Sequence, residues 1–327
     1  MTRRVRVRRR GVYPESHRGT PRNDTGIVTV AQLGERGVIA RMRRRRKPAS
    51  SVLVGIGDDA AVLTHAGKRL LFASDMLVEG VHFTRAHVTP RAIGWKALAC
   101  NVSDVAAMGG LPKWAVVSVG FPRTTPETFV EGVADGLSRC AKRFGLALVG
   151  GDTVRAPCVV LDVAIVGTVS AAQMVLRSGA RVGDRIFVTG RLGGSLISGR
   201  HATFLPRLRE AQWLVTHCKP HAMMDLSDGL ASDLWQVARA SRVTLQVDAH
   251  RIPVSRAGKT IHHALMDGED FELLFTVSDR IAPRVPRAIG RVPVTAIGVV
   301  TRQGADVQLV CQDGRVVRLV PRGFQHF

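Results

Sequence analysis

The stretch Gly55-Ile56-Gly57-Asp58-Asp59-Ala60-Ala61-Val62 decides how the rest of this chain is interpreted. It lies between two apolar runs, 52–54 and 70–72, that have the residue types of short strands. Two adjacent carboxylates among small residues at a strand end are typical of a site for a divalent cation, or for a phosphate held by one. The stretch therefore predicts a turn that carries metal-binding oxygens.

Short acidic motifs beside Gly and Ser recur along the chain. They are Ser74-Asp75, 101–104, Gly150-Gly151-Asp152, 225–229 and Gly268-Glu269-Asp270. With only 26 acidic residues against 47 basic ones, chance does not readily place so many carboxylates next to small residues. Any one of these motifs alone would indicate an ordinary turn. Together they predict that both halves of the chain contribute ligands to metal ions that hold a polyphosphate.

Length and composition predict a globular protein with two domains, since the chain has 327 residues of which 45% are hydrophobic. No apolar run approaches the roughly 18 residues of a membrane span, and the arginine-rich start lacks the apolar block of a secretory signal. We therefore expect a cytoplasmic protein without a membrane partner. The five cysteines are widely spaced without a Cys-x-x-Cys pair, which indicates neither a disulfide framework nor a zinc ribbon.

The net charge of +21 is concentrated at the start of the chain. Residues 1–47 hold 15 Lys or Arg against three acidic residues, a balance of +12. A basic segment of this kind can bind nucleic acid. No aromatic residue stands among the arginines before Tyr13, however, so the stacking half of a single-strand binding surface is missing. We expect residues 1–26 to be an unstructured leader and do not expect nucleic acid as a partner.

Hydrophobic periodicity predicts two α+β units, 27–172 and 173–327. In the first, the predicted helices are 28–42, an amphipathic helix from Pro90 to 108 with one apolar stripe, and a helix to 144 that Thr125 caps. The predicted strands of this unit are 52–54, 69–74, 116–121, a short buried strand at 146–149, and 158–169. In the second, helices are predicted at 205–216 and 230–240, and strands at 185–189, 244–247, 272–277, 294–300, 307–311 and 315–320.

Three other motifs do not indicate a site. Gly258-Lys259-Thr260 could end a Walker loop, but Pro253 stands where that loop needs a glycine. The glycines of 190–195 are not followed by a lysine, so this segment is interpreted as a turn. A cluster of His217, Cys218 and His221 lacks a fourth metal ligand and is interpreted as surface.

The acidic motifs, taken in chain order, resemble those of the thiamine-monophosphate kinase family. The resemblance covers about residue 28 to the C-terminus, and only the basic leader lies outside it. It is carried by Gly55 to Ala61, Ser74 to Phe83, Lys96 to Ala99, Asn101 to Asp104, Ala106 to Gly109, Gly150 to Thr153, Arg177 to Ala180, Asp225 to Leu230, Gly268 to Phe275 and Gly323 to Phe327.

This resemblance implies an α+β, two-domain fold of the aminoimidazole-ribonucleotide-synthetase-like superfamily. In that fold an N-terminal sheet domain dimerises and is followed by a C-terminal α/β domain, and ATP is bound without a Walker loop. The implied reaction moves the γ-phosphoryl group of ATP, the co-substrate, onto thiamine monophosphate with the help of several Mg²⁺ ions. Because a phosphate oxygen is already anionic at neutral pH, the reaction needs no strong general base.

The resemblance also implies roles for individual residues. The implied Mg²⁺ ligands are Asp59, Ser74, Asp75, Asp104, Asp152, Asp225 and Asp228. The implied nucleotide-binding residues are Gly151, Asp152, Arg177 and Ser227. The implied thiamine phosphate contacts are His82, Glu269 and Phe324, and the residues implied in catalysis are Asp75, Asp104, Asp152 and Arg177. Phe324 can cover the thiazolium cation, and Glu269 can complement its charge or accept a hydrogen bond from the pyrimidine amine.

Three positions depart from the family pattern. Ala73 stands where a Ser is usual, and Met76 where a Thr is usual. Asp267 replaces a Gly, which we expect to place a side chain at a position of left-handed backbone geometry. Segments 200–222 and 250–262 also look short for the family.

Two alternative interpretations remain open at this stage. The first is another ATP-using enzyme of the same superfamily, such as a synthetase or a maturation protein. It would be favoured if His82, Glu269 and Phe324 did not lie beside the metal-binding carboxylates. The second is a nucleic-acid-binding protein that acts through its arginines, which would leave the acidic motifs unexplained.

Overall fold

The structure is a computed structural model that describes residues 32–34, 37–40, 50–320 and 323–324. Residues 32–34 and 37–40 are helical and lie within the helix predicted at 28–42. The predicted leader, 1–26, lies outside the described residues. No helix in the described part of the chain is long and apolar enough to cross a membrane.

The first sheet has six strands in the order β1-β2-β3-β6-β4-β5. Only the β4–β5 pair is parallel, and the other neighbours are antiparallel. The strands are β1 (Val52–Val54), β2 (Ala61–His65), β3 (Lys68–Val78), β4 (Leu111–Phe121), β5 (Ala147–Arg155) and β6 (Val160–Val169). Two long helices, α1 (Pro90–Ala107) and α2 (Glu127–Phe144), also belong to this half of the fold.

The two faces of the first sheet have different surroundings. Along β6, buried residues alternate strictly with half-buried ones, as expected for a strand with one covered face. The covered face, with Leu161, Val163 and Ile165, belongs to the same apolar core as α1. The opposite face, which we call the open face, carries a row of Phe72, Val166 and Trp114 across three strands. Phe72 is 46% exposed and Trp114 is 48% exposed.

Helix α1 is enclosed on most of its circumference, which corrects the prediction of a single apolar stripe. Thirteen of its residues are buried, including the polar residues Lys96, Asn101 and Ser103. Its contact with α2 is close because the backbones touch: a Cβ added to Gly94 would lie 2.0 Å from the Val133 carbonyl oxygen. Polar side chains in such a helix must find partners inside the protein.

The second sheet has eight strands, with the main order β14-β13-β9-β12-β7-β10-β8 and with β11 paired to β12. Its strands are β7 (Arg185–Thr189), β8 (Ala222–Asp225), β9 (Val243–Asp248), β10 (Leu273–Val277), β11 (Ala288–Ile289), β12 (Val292–Gln303), β13 (Asp306–Val310) and β14 (Val316–Arg318). Its helices are α3 (Ser195–Ser198), α4 (Leu208–His217), α5 (Leu230–Ser241) and α6 (Ile261–Met266), with short 3-10 turns at Arg200–Ala202, Ala249–Arg251 and Ala282–Arg284.

The two halves of the molecule share apolar packing. Helices α5 and α6 cover one face of the second sheet. On the other face, the rings of Phe187 and Phe275 are stacked with their centroids 5.3 Å apart. These rings belong to one apolar cluster with α4 and with Ala106 and Ala107 at the end of α1. Helix α1 therefore belongs to both cores.

Two local predictions were wrong. Thr125 does not cap α2: the N-cap is Pro126, without a side-chain hydrogen bond. The segment predicted as a short buried strand is β5, which continues through Gly150-Gly151-Asp152 and is exposed along its whole length. Strand β5 is the edge of the sheet, and an apolar run identifies a strand without showing whether anything covers it. The strands β2, β8 and β11 and the helices α3 and α6 were not predicted.

Candidate active site

Three carboxylates from distant parts of the sequence meet where the two halves of the protein join. Each of Asp59, Asp104 and Asp225 offers an oxygen within 4.8 Å of the others, and we call this group the acidic centre. Asp59 follows the first strand, Asp104 lies on α1, and Asp225 ends β8. Within the described residues this is the one group of three ligand-type side chains placed closely enough to hold a metal ion.

The acidic centre resists ionisation. Burial raises the pKa of Asp225 to about 8, with repulsion from Asp59 as the next cause. Burial also raises the pKa of Asp104 well above its usual value, followed by repulsion from Asp75 and Asp225. Ser103 Oγ donates a hydrogen bond of 2.6 Å to Asp225 Oδ2 and fixes one oxygen of the group.

The acidic centre fits a divalent cation. Asp59 Oδ2 is buried and has no hydrogen-bond partner. An orphaned carboxylate oxygen next to two other carboxylates is an unfavourable arrangement unless a cation compensates it. Hard oxygen donors of this type are the ligands that Mg²⁺ prefers.

Arg177 is the cation that the chain itself supplies to this group. Its Nη2 lies 2.6 Å from Asp59 Oδ1, and its Nη1 donates to Gln236 Oε1 at 2.6 Å. Its backbone N–H donates to Asp58 Oδ1 at 3.1 Å. Burial acts to lower the pKa of Arg177, but the charge of Asp59 and a hydrogen bond to it raise the pKa overall. Arg177 therefore stays charged beside the carboxylates.

Two further predicted ligands border the acidic centre. Asp75 lies on the covered face of β3, and its pKa rises to about 6 through burial, then through repulsion from Asp162 and Asp59. Asp228 lies in the turn before α5, and its backbone N–H donates to Asp233 Oδ2 at 3.3 Å. Asp233 is fully buried, and its pKa is raised by burial and then by repulsion from Asp228 and Asp225.

The structure does not bring Ser74 and Asp152 to the acidic centre of the same chain. Both belong to the open face, because successive residues of a strand point to opposite faces and Asp75 occupies the covered one. Ser74 Oγ donates instead to Asp162 Oδ1 at 3.0 Å. Gly151 adjoins Asp152 in β5, where a Cβ would lie 1.8 Å from the Val117 carbonyl oxygen. The ligand and nucleotide roles of these residues stay predictions.

The three residues predicted to contact thiamine phosphate come together around a lysine. The His82 and Phe324 rings lie 6.5 Å apart and are tilted by 50°. Lys96 Nζ donates to the His82 carbonyl oxygen at 2.8 Å and forms an ion pair with Glu269 Oε1. We call His82, Lys96, Glu269 and Phe324 the substrate cluster. Their roles in binding remain predictions.

Ser227 connects the acidic centre to the substrate cluster. Its carbonyl oxygen accepts a hydrogen bond of 2.7 Å from the Glu269 N–H, and the neighbouring Leu226 accepts one of 2.8 Å from Phe271. Glu269 and Phe271 adopt left-handed backbone geometry, at φ 61° and φ 48°, to make these contacts. The acidic motif after β8 and the motif before β10 therefore lie side by side.

The expectation that Asp267 has left-handed geometry is wrong. Its φ is −69°, so the side chain causes no backbone strain. Its carboxylate accepts the Gly194 N–H at 2.8 Å and lies 3.0 Å from His263 Nδ1. Of the other departures, Ala73 packs against the first core, and Met76 is 53% exposed on the open face.

Several residues of the site escaped the sequence reasoning. Lys96 and Ser103 lie in motifs that carry the family resemblance, but the resemblance implied no role for either, and only the burial of α1 gives them one. Asp58 lies in the stretch 55–62, but nothing in the sequence indicates that it holds the Arg177 backbone. Asp233 stands five residues after Asp228, a spacing that by itself indicates nothing.

The two-domain fold and the buried carboxylates at its junction define a class of protein. Residues 57–169 match the family described as AIR synthase related protein, N-terminal domain, and residues 181–310 match the corresponding C-terminal domain. Structures of the hydrogenase maturation protein HypE share this fold, with a TM-score of 0.70 and 15% identity for HypE in its complex with HypF.

Closer relatives identify the family within this class. The chain is 36% identical to the thiamine-monophosphate kinase of Rhodopirellula baltica, over 89% of this chain and 97% of the relative. It is 35% identical to that of Bacillus subtilis, over 85% and 94%. The solved structure of AaThiL complexed with AMPPCP and TMP has a TM-score of 0.80 and 32% identity, over 93% of this chain and all of the other. The chain belongs to the thiamine-monophosphate kinase family.

Proposed function

We propose that this protein transfers the γ-phosphoryl group of ATP to the phosphate of thiamine monophosphate and releases thiamine diphosphate and ADP. The observation that carries the proposal is that one face of α1 supports both the acidic centre and the substrate cluster. Lys96 and Asp104 lie two turns apart on this helix, or about 12 Å at 1.5 Å per residue. The complex of AaThiL with AMPPCP and TMP supports the choice of substrates.

Mg²⁺ is the metal that the donor set fits. Asp59, Asp104 and Asp225 would hold it, with Asp75 and Asp228 at the border of the site. When bound, Mg²⁺ would offset the negative charge of the polyphosphate and stabilise the negative charge that develops on the leaving oxygen.

The chain's own residues supply position and charge. Arg177 presents a guanidinium at the acidic centre, where it can pair with phosphate oxygens as it now pairs with Asp59. The substrate cluster holds the vitamin so that its phosphate points along α1 toward the acidic centre. Because the acceptor oxygen is already anionic, direct in-line transfer needs alignment more than a general base.

We also propose that the enzyme is a cytoplasmic homodimer joined through the open face of the first sheet. The exposed apolar side chains of this face, among them Phe72, Met76, Trp114 and Val116, support the proposal because monomers rarely expose such a patch. Asp152 and Ser74 lie on the same face, so a second copy would approach both.

The test of the proposed function is an ADP-release assay with purified protein, ATP and Mg²⁺. We expect turnover with thiamine monophosphate and none with unphosphorylated thiamine. Asp75→Asn should lower kcat at least about 100-fold, because it removes a charge beside the site of phosphoryl transfer. The control Asp135→Asn, in an exposed ion pair on α2, should leave kcat unchanged. Absence of activity on both thiamine compounds in the wild type would refute the proposal.

A further inference from the structure

Lys96 is buried without any accessible surface, which is exceptional for a lysine. Its ammonium group bridges two predicted substrate contacts from the two halves of the protein. It binds the His82 carbonyl oxygen, in the segment after β3, and the carboxylate of Glu269, in the segment before β10. The side chain of Glu269 keeps 21% of its surface exposed, so the pair has one buried end and one accessible end.

Buried polar residues surround the ion pair between Lys96 and Glu269. His201 is 6% exposed, and its pKa is lowered by burial and then by the charge of Lys96. Further along the same face of α1 stand Cys100 and then Asp104, and burial raises the pKa of the Cys100 thiol. Cys100 is close enough to both charge groups to respond to Asp75 and Asp104 as well as to Lys96 and Glu269. Lys96 is therefore the buried cation beside Glu269, on the side of α1 that also carries Cys100 and Asp104.

We infer that Lys96 is a positioning residue for the vitamin: it fixes the Glu269 carboxylate and cancels its charge. Glu269 then recognises the pyrimidine amino group by accepting a hydrogen bond from it. The inference rests on the proposed function and specifies its substrate recognition. A carboxylate paired with a buried ammonium presents a weak field to a thiazolium cation, whereas its second oxygen can still accept an N–H. The contact with the thiazolium then falls to the His82 and Phe324 rings.

The geometry of the other cluster members agrees with this division of roles. His82 Nδ1 accepts the Val78 N–H at 3.0 Å, so the neutral ring carries its proton on Nε2 and has no charge to repel a cation. Glu269 is held at both ends, since its N–H donates to Ser227 and its side chain is paired with Lys96. Because the Glu269 side chain is fixed in this way, it can discriminate between substrates by the position of their hydrogen-bond donors.

The first experiment compares thiamine monophosphate with its analogue in which an oxygen replaces the pyrimidine amino group. Both carry the thiazolium charge, and they differ at the pyrimidine edge that Glu269 is inferred to bind, where the amino donor becomes a carbonyl acceptor and a ring nitrogen gains a proton. The wild type should prefer the amino compound in kcat/KM by about 30-fold or more, and Glu269→Gln should reduce this preference to below about fivefold. If Glu269→Gln weakens both compounds equally, Glu269 acts through its charge and the inference fails.

The second experiment tests Lys96 itself. Lys96→Met should raise the KM for thiamine monophosphate about tenfold and reduce the amino-over-oxo preference, while the KM for ATP changes less than about twofold. Arg91→Met, an exposed arginine on the same helix, is the matched control and should change none of these values. A role of Lys96 in packing alone would leave the preference between the two compounds at its wild-type value, and that result would overturn the inference.

The double variant Lys96→Met/Glu269→Gln keeps the test decisive if Lys96→Met does not fold. It removes both charges, so it should fold and show the kcat/KM of Glu269→Gln within about threefold. A double variant more than about tenfold worse than Glu269→Gln would overturn the inference, because Lys96 would then act independently of Glu269. If the wild type does not phosphorylate thiamine monophosphate, the proposed function fails; if it does and the Lys96 variants behave as wild type, only the inference fails.

Discussion

At the scale of single residues, the site is governed by the competition between burial and charge. Asp59, Asp104 and Asp225 come from segments that are far apart in sequence, and the fold buries them together. Burial disfavours the charged form of each carboxylate, so all three pKa values are raised. The stability of the cation-free protein should therefore depend on pH in a direction opposite to that of ordinary paired carboxylates.

Asp225→Asn should stabilise the protein at high pH when divalent cations are removed with EDTA. The folded-state pKa of Asp225 is about 8 against a usual 3.8, so the folded state binds the extra proton between these values. This contribution to stability is complete below pH 3.8 and is lost as the pH rises through about 8. Asparagine carries no charge, so the variant should exceed the wild type in free energy of unfolding by on the order of 2 kcal/mol at pH 8.

The measurement is urea unfolding at pH 5 and pH 8 in EDTA. The advantage of the variant should shrink at pH 5, where most of the Asp225 population in the wild type is protonated. Added Mg²⁺ should stabilise the wild type more than the variant. Equal stability of the two proteins at both pH values would contradict the account of the acidic centre.

At the scale of elements, sequence reasoning located most helices and strands but not their surroundings. Periodicity predicted α1 from its apolar residues, and the structure places that helix at Pro90–Ala107. Periodicity did not show how many elements pack around α1, because the glycines at its contact with α2, which are Gly94, Gly132 and Gly136, carry no hydrophobic signal. The role of Lys96 was missed for the same reason, because it depends on tertiary contacts. The exposure of β5 was missed as well, because its apolar composition suggested burial.

The acidic centre was more predictable than the substrate cluster. Its ligands stand beside Gly and Ser in short motifs, so they could be found as a set in the sequence. Their sharing of one site could be proposed from chemistry, whereas the separation of Ser74 and Asp152 onto the open face depends on strand register. Register is set by pairing between strands distant in sequence and is not visible in either strand alone.

Gly136→Ala should destabilise the protein through the contact of α2 with α1. A Cβ at this position would lie 2.0 Å from the Arg91 carbonyl oxygen, so the two helix backbones would have to separate. We expect a loss of about 1–3 kcal/mol in the free energy of unfolding, even though alanine favours helix more than glycine. Ser138→Ala, on the exposed side of the same helix, is the control for helix propensity. A gain in stability for Gly136→Ala in urea unfolding would disprove the close contact.

At the scale of the whole molecule, the open face and the shared core set how the chain assembles. The open face presents rows of side chains from β3, β6 and β4, while the opposite face is filled by α1 and the rest of the first core. A sheet face with Phe72 and Trp114 about half exposed is suited to pairing with a second copy.

Trp114→Glu should convert the proposed dimer into a monomer. The substitution places a charge in the apolar row of the open face, and burying an unpaired charge opposes association. Ile197→Glu is the control, because Ile197 is 69% exposed but belongs to the second half of the protein. Sedimentation equilibrium should give half the wild-type mass for Trp114→Glu and the wild-type mass for Ile197→Glu. A monomeric wild type would refute this arrangement.

The position of the end of α1 in the second core limits how the polypeptide can be divided. A cut in the segment between β6 and β7 would leave Ala106 and Ala107 bare on one fragment and the stacked Phe187 and Phe275 bare on the other. Each fragment would expose apolar surface that is buried in the intact protein, and we expect each to aggregate unless the other fragment is present. Although the two halves match separate family models, we expect them to fold as one unit. The acidic centre needs both halves, because Asp59 and Asp104 come from the first and Asp225 from the second.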